Sequence, residues 1–147
     1  MGTLLASDRL VARESGEWAG DKLFYVARYM DIFTGSMKDK WPRRAFIDLM
    51  SGPGLCVVPG TGREFDGSPL LALKTRTPFT DVILVEADPV LVAALTQRPA
   101  GVGLRPTPEI IRGDCNHQPI VDDTRRRVLK RTLISATHDP SGQRRPI

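Results

Sequence analysis

Phe46-Ile47-Asp48-Leu49-Met50-Ser51-Gly52-Pro53-Gly54 is an apolar run that breaks into two glycines around a proline. With Arg44 and Ala45 ahead of it, the stretch to Met50 reads as a strand covered on both faces of a parallel sheet, where apolar residues follow one another without alternating. Gly52 and Gly54 permit tight turning and let the backbone approach a ligand closely.

Downstream, strand and helix signals alternate. Gly67-Ser68-Pro69 opens a helix through Leu70, Leu71, Leu73 and Lys74, with Ser68 as N-cap and Pro69 as first helical residue. Asp81 to Glu86 holds four apolar residues in succession, a second buried strand. Asp88-Pro89 repeats the capping device before Leu91, Val92, Ala94 and Leu95. Glu109 to Arg112 is a third strand nearer an edge. Val121 to Lys130 is a helix with Asp122 and Asp123 toward its N-terminus and arginines toward its C-terminus, which suits the helix dipole. Leu133 to Thr137 is a fourth strand. Upstream, Trp18, Leu23, Tyr25, Val26, Tyr29, Met30 and Phe33 recur at separations of three and four, predicting a helix over 17–33 with these residues near one face, which Gly35 and Ser36 end. The alternation predicts an α/β fold: a partial doubly wound, Rossmann-like parallel sheet of about four strands with an N-terminal helix. It divides the chain into an N-terminal segment 1–16, a domain 17–142 and a basic tail 143–147.

The bulk numbers bound the function. With 147 residues, 41% hydrophobic and 26% charged, the chain has the make-up of one soluble domain. No apolar run is long enough to span a bilayer, and the N-terminus lacks a signal-peptide layout, so a cytoplasmic location is expected. Cys56 and Cys115 stand apart, with only His117 near the second, and read as reduced structural thiols without a metal. The charge of +4 is concentrated at one end. Lys and Arg number 14 against 16 acidic residues through Asp123, then 7 against 1 from Thr124 onward. Arg125, Arg126, Arg127, Lys130 and Arg131 form either a solvated helix face or a nucleic-acid contact.

In open α/β sheets a ligand lies beyond the carboxyl ends of the strands. Here those ends carry Ser51-Gly52-Pro53-Gly54, Glu86, Gly113-Asp114-Cys115-Asn116 and Asp139-Pro140-Ser141-Gly142. Each is an ordinary turn or cap alone, and their ordered succession suggests one pocket. About a dozen residues separate Gly54 from the next helix, and a third glycine is missing, which suits a pyrophosphate poorly. S-adenosylmethionine has no phosphate and bears a sulfonium charge, so a pocket with Asp48, Glu86 and Asp114 suits it better than it suits NAD.

The set of Trp18, Lys22, Tyr25, Tyr29, Phe33, Ile47 to Gly54, Asp66 to Leu70, Glu86-Ala87-Asp88 and Gly113 to Asn116 resembles the three-Cys-motif partner proteins (TcmP), a bacterial family similar to Rossmann-type methyltransferases. The resemblance covers about residues 17 to 142, with Met50-Ser51 where the family usually has Phe-Ala. It implies that Asp48, Gly52 and Gly54 line the methionine and ribose part of S-adenosylmethionine. Glu86 would accept hydrogen bonds from the ribose hydroxyls, and Asp114, with Asn116 in the same turn, would lie near the adenine. Asp139 matches an Asp-Pro-x-Gly turn similar to the amine-orienting motif of amino-methylating enzymes, without its aromatic residue. The family continues well past this turn, so the expectation is a truncated or frameshifted product whose fourth strand is an edge. Three readings follow: a methyltransferase-like domain with or without activity, a non-catalytic partner of a three-Cys-motif protein, or a nucleic-acid-binding remnant.

Overall fold

The computed structural model describes residues 2–101, 103–104 and 106–127, and the backbone of 132–137. The chain opens with β1 (Thr3–Leu5), β2 (Val11–Glu14), α1 (Trp18–Met37) and β3 (Arg43–Asp48). There follow β4 (Leu55–Val57), β5 (Glu64–Asp66), α2 (Ser68–Leu73), β6 (Asp81–Glu86) and α3 (Pro89–Gly101). Last come β7 (Glu109–Arg112), α4 (Gln118–Arg127) and β8 (Thr132–Thr137).

The expected parallel sheet is present, in the order β7-β6-β3-β8 with every neighbouring pair parallel. Residues 44–48 are buried, as are Val82 to Val85, because helices cover both faces of these strands. On one face Phe46, Val82 and Leu84 pack with Met30 of α1, Ala72 and Leu73 of α2, Leu95 of α3 and Phe79. On the other, Ile47, Ile83, Val85 and Ile111 meet Leu49, Cys115 and Ile120 of α4. Strands β3, β6 and β7 advance outward through α2 and α3 on one face. The chain then crosses back through α4 on the opposite face to place β8 on the free side of β3. That reversal keeps the crossovers right-handed.

A second sheet, β1-β2-β4-β5, was not foreseen. Its pairs are antiparallel, parallel and antiparallel in turn. The segment read as a plain loop after Gly54 is the β4–β5 hairpin, turned at Gly60 (φ 85°) and Gly62 (φ 69°). Residues 1–16 contribute the other two strands, so both insertions beside the glycine turn are built into one small sheet.

Four helix expectations need correction. Helix α1 runs past Gly35 and Ser36 to Met37, with the Lys38 amide bonded to the Thr34 carbonyl. An exposed glycine inside a helix costs only about 1 kcal/mol and does not stop it. The residues expected on one face of α1 form two stripes. Val26, Met30 and Phe33 face the sheet, whereas Trp18, Tyr25 and Tyr29 are exposed. Ser68 does not cap α2: Gly67 is the N-cap and the Ser68 hydroxyl turns instead to Asp48. Helix α4 starts three residues early, which places Asp122 and Asp123 mid-helix, where Asp123 pairs with Arg127 rather than with the dipole. The Asp88-Pro89 start holds, with Asp88 Oδ1 accepting from the Val90 amide at 2.9 Å.

Candidate functional site

The switch in strand order falls between β3 and β8, and in open α/β sheets ligands bind beyond the carboxyl ends of the strands at such a reversal, which directs attention to the end of β3. Asp48 ends β3 and is 2% exposed. Its carboxyl accepts from the Met50 amide at 3.2 Å and from the Ser68 hydroxyl at 2.5 Å, which ties β3 to the first turn of α2. The next residue in the turn, Ser51, binds the Val85 carbonyl through its amide (3.0 Å) and its hydroxyl (3.2 Å). Gly52 and Gly54 then take φ of 68° and 91°, a backbone region that costs a residue with a side chain roughly 1–2 kcal/mol.

Glu86 joins the turns. One carboxylate oxygen accepts from the Gly52 amide and the other from the Asp88 amide, each at 2.9 Å. Its backbone carbonyl accepts from the Gly113 amide, also at 2.9 Å. The first three strand-end turns therefore share one hub. A carboxylate oxygen has two acceptor directions, so Glu86 keeps capacity for a ligand hydroxyl on each oxygen. Asp114 and Asn116 lie one strand farther out and are exposed, with Asp114 Oδ1 holding the Asn116 amide at 2.8 Å. Asp48, Gly52, Gly54 and Glu86 are thus brought together, and Asp114 with Asn116 forms the outer rim. Asp139, Lys130 and Arg131 lie outside the described residues.

Arg98 was missed. It continues the Leu91, Ala94 and Leu95 stripe of α3 onto the buried face, and its side chain is only 4% exposed. A charged residue on an apolar helix stripe was the available signal. All five of its N–H donors are used. Two bind Asp8, one each reaches the Val11 and Leu10 carbonyls, and the last binds the Pro53 carbonyl inside the glycine turn. One side chain thereby pins the β1–β2 turn to the candidate site.

The Arg98 guanidinium holds the Asp8 carboxyl below its ordinary value of 3.8, outweighing a smaller opposite effect of burial. Asp8 therefore adds stability at pH above that value, and the contribution disappears as pH falls through the lowered one. Asp8→Asn is expected to be less stable than the parent at pH 7 and to approach it in urea midpoint between about pH 5 and about pH 2. A gap that stays constant over that interval would contradict the assignment.

Cys56 is buried and Cys115 partly buried, and neither forms a disulfide. Burial pushes the Cys56 thiol up, against weaker opposing effects of Ser15 and Arg13, which makes it a poor nucleophile. Among the described residues no group of three or more His, Cys, Asp or Glu side chains is arranged to hold a metal, and no helix is long and apolar enough to cross a membrane. On α4, Arg127 is bonded to Glu109 at 2.8 Å and to Asp123 at 3.2 Å, while Arg126 lies 3.6 Å from Asp123. The chain matches no protein-family model and no curated protein.

Proposed function

We propose that this chain is an S-adenosylmethionine-binding domain of the Rossmann-like, methyltransferase type, similar to the three-Cys-motif partner proteins. The observation that carries the reading is the position of Glu86, whose carboxylate stands at the junction of three strand-end turns with acceptor capacity left for a ribose diol. Asp48, Gly52 and Gly54 line the methionine side, and Asp114 with Asn116 forms the adenine side. The strand order, with helices on both faces and a reversal beside β3, supports the same class.

The glycine turn disfavours a dinucleotide. In a dinucleotide fold the turn runs straight into a helix whose N-terminal amides take the pyrophosphate. Here the β4–β5 hairpin intervenes, and the Asp48 carboxyl occupies the first turn of α2 through Ser68. An acidic group in that place repels a pyrophosphate and suits a sulfonium. Binding of S-adenosylhomocysteine by the folded chain, with NAD as the contrasting ligand, tests the proposal. Asp139 would orient an amine acceptor in an active enzyme.

The reading as a partner of a three-Cys-motif protein draws on one observation, the outer face of α1. Trp18, Tyr25, Tyr29 and Ile32 are each more than 60% exposed there, with Phe24 and Arg28 beside them. Aromatic side chains flanked by arginine are the composition of interface anchors. Trp18→Ala with Tyr25→Ala is expected to abolish co-purification with such a protein and to leave cofactor affinity unchanged. Loss of both together would speak for damage to the fold. Nucleic-acid binding through Arg125, Arg126, Arg127, Lys130 and Arg131 is the weaker reading, because Arg126 and Arg127 are engaged with acidic side chains.

A further inference from the structure

Gly52 is flanked by two groups of opposite charge. Its amide points to Glu86, and its Cα faces the guanidinium of Arg13: a methyl group built on Gly52 would lie 2.8 Å from Nη2 and 3.1 Å from Cζ. Arg13 belongs to β2, an inner strand of the small sheet, paired to Thr3 on one side and Cys56 on the other. The neighbouring Ala12 is fully buried, so strand alternation sends Arg13 to the opposite face, toward the glycine turn. Its base is therefore fixed.

Several cations beside the two sheets are occupied, and neither Arg9 nor Arg112 is among the nearest contacts of a Cβ built on Gly52 or Gly54. Arg43 pairs with Asp81, Arg63 with Glu17, Lys74 with Asp66 and Arg98 with Asp8. Among the described residues, no hydrogen bond or ion pair engages Arg13. A half-buried guanidinium held against a ligand turn with its donors unused asks for an anion, and its planar fork matches a carboxylate in two parallel bonds.

Resting on the S-adenosylmethionine reading, we infer that Arg13 binds the α-carboxylate of the methionine end of the cofactor. Ribose and carboxylate are then held from opposite sides of Gly52, by Glu86 and Arg13. Glycine suits the position through its φ of 68°, and a side chain there would also displace the guanidinium. The small sheet thereby has a role in the site: β2 and β4 deliver a cation to a pocket whose other named groups are acidic.

The experiment compares S-adenosylhomocysteine with 5′-methylthioadenosine, which keeps adenine, ribose and sulfur and lacks the amino-acid group. The parent chain should bind S-adenosylhomocysteine more tightly. Arg13→Met should weaken that binding by about ten- to a hundredfold, the size of a charge-assisted pair, and leave 5′-methylthioadenosine unchanged. Arg13→Lys should fall between. Unchanged affinity for S-adenosylhomocysteine in Arg13→Met, or equal losses for both ligands, overturns the assignment while the cofactor reading stands. Binding of neither ligand by the folded parent chain overturns both. Should Arg13→Met fail to fold, the parent's preference between the two ligands decides alone, and equal affinity rejects the role of Arg13.

Discussion

Arg98→Ala is expected to destabilise the chain by about 3 kcal/mol, the lower end of the range for breaking a buried ion pair from one side. The lower end applies because Asp8 is 39% exposed and can turn to water, whereas Arg98 itself is buried. Most of the loss comes from the carbonyls of Leu10, Val11 and Pro53, which lose their donor when the guanidinium goes. For a chain of this length the melting temperature should drop by roughly 6 to 12 °C. Lysine does not rescue: its single ammonium cannot reach three carbonyls and a carboxylate arranged around a planar fork. Asp8→Asn at pH 7 should cost clearly less than Arg98→Ala. Equal losses from the two variants would mean that the ion pair alone, and not the bonds to the carbonyls, carries the stabilisation.

Glu86→Ala is expected to weaken S-adenosylhomocysteine binding at least thirtyfold, about 2 kcal/mol, with a stability loss of about 1 kcal/mol. The two numbers differ because Glu86 is only half-buried. The exposed Asp88 amide it releases can be hydrated, whereas a ribose diol loses a charged acceptor. Glu86→Gln keeps one oxygen acceptor but turns an amide donor toward the other N–H, so it should recover part of the stability and little of the affinity. Urea midpoints and ligand titrations on the same samples separate the effects. A stability loss without any change in affinity would make Glu86 a scaffold residue only.

The parallel sheet was legible because its strands are covered on both faces. Ile83-Leu84-Val85 and Phe46-Ile47 carry apolar residues in succession, and the Asp88-Pro89 capping step marks a helix start. The small sheet was not legible from apolar runs. Strands of three and four residues do not fill a period, and Leu55 to Asp66 was read by length as a loop. Its signal lay in Gly60-Thr61-Gly62 between Leu55-Cys56-Val57 and Glu64-Phe65-Asp66, the composition of a hairpin turn. The face of α1 was misread because two stripes one position apart look alike in sequence, and only packing chooses between them.

The candidate site was legible as a set of turns but not as a network. Spacing could put Glu86 and Gly52 at neighbouring strand ends, yet it held no sign that the carboxylate bonds the Gly52 amide. Ser68 looked like a cap because Ser before Pro usually is one, and the buried Asp48 carboxyl competed successfully for its hydroxyl. Arg13 and Arg98 are supplied by elements more than 30 residues from the turn they serve. Long-range contacts of that kind leave no local pattern.

The most direct test of the account is isothermal titration of the folded chain with S-adenosylhomocysteine, with NAD titrated in parallel. Saturable one-site binding with a dissociation constant below about 1 mM is expected, with no comparable binding of NAD. Absence of binding at millimolar S-adenosylhomocysteine, in protein shown to be folded by its cooperative melt, would contradict it.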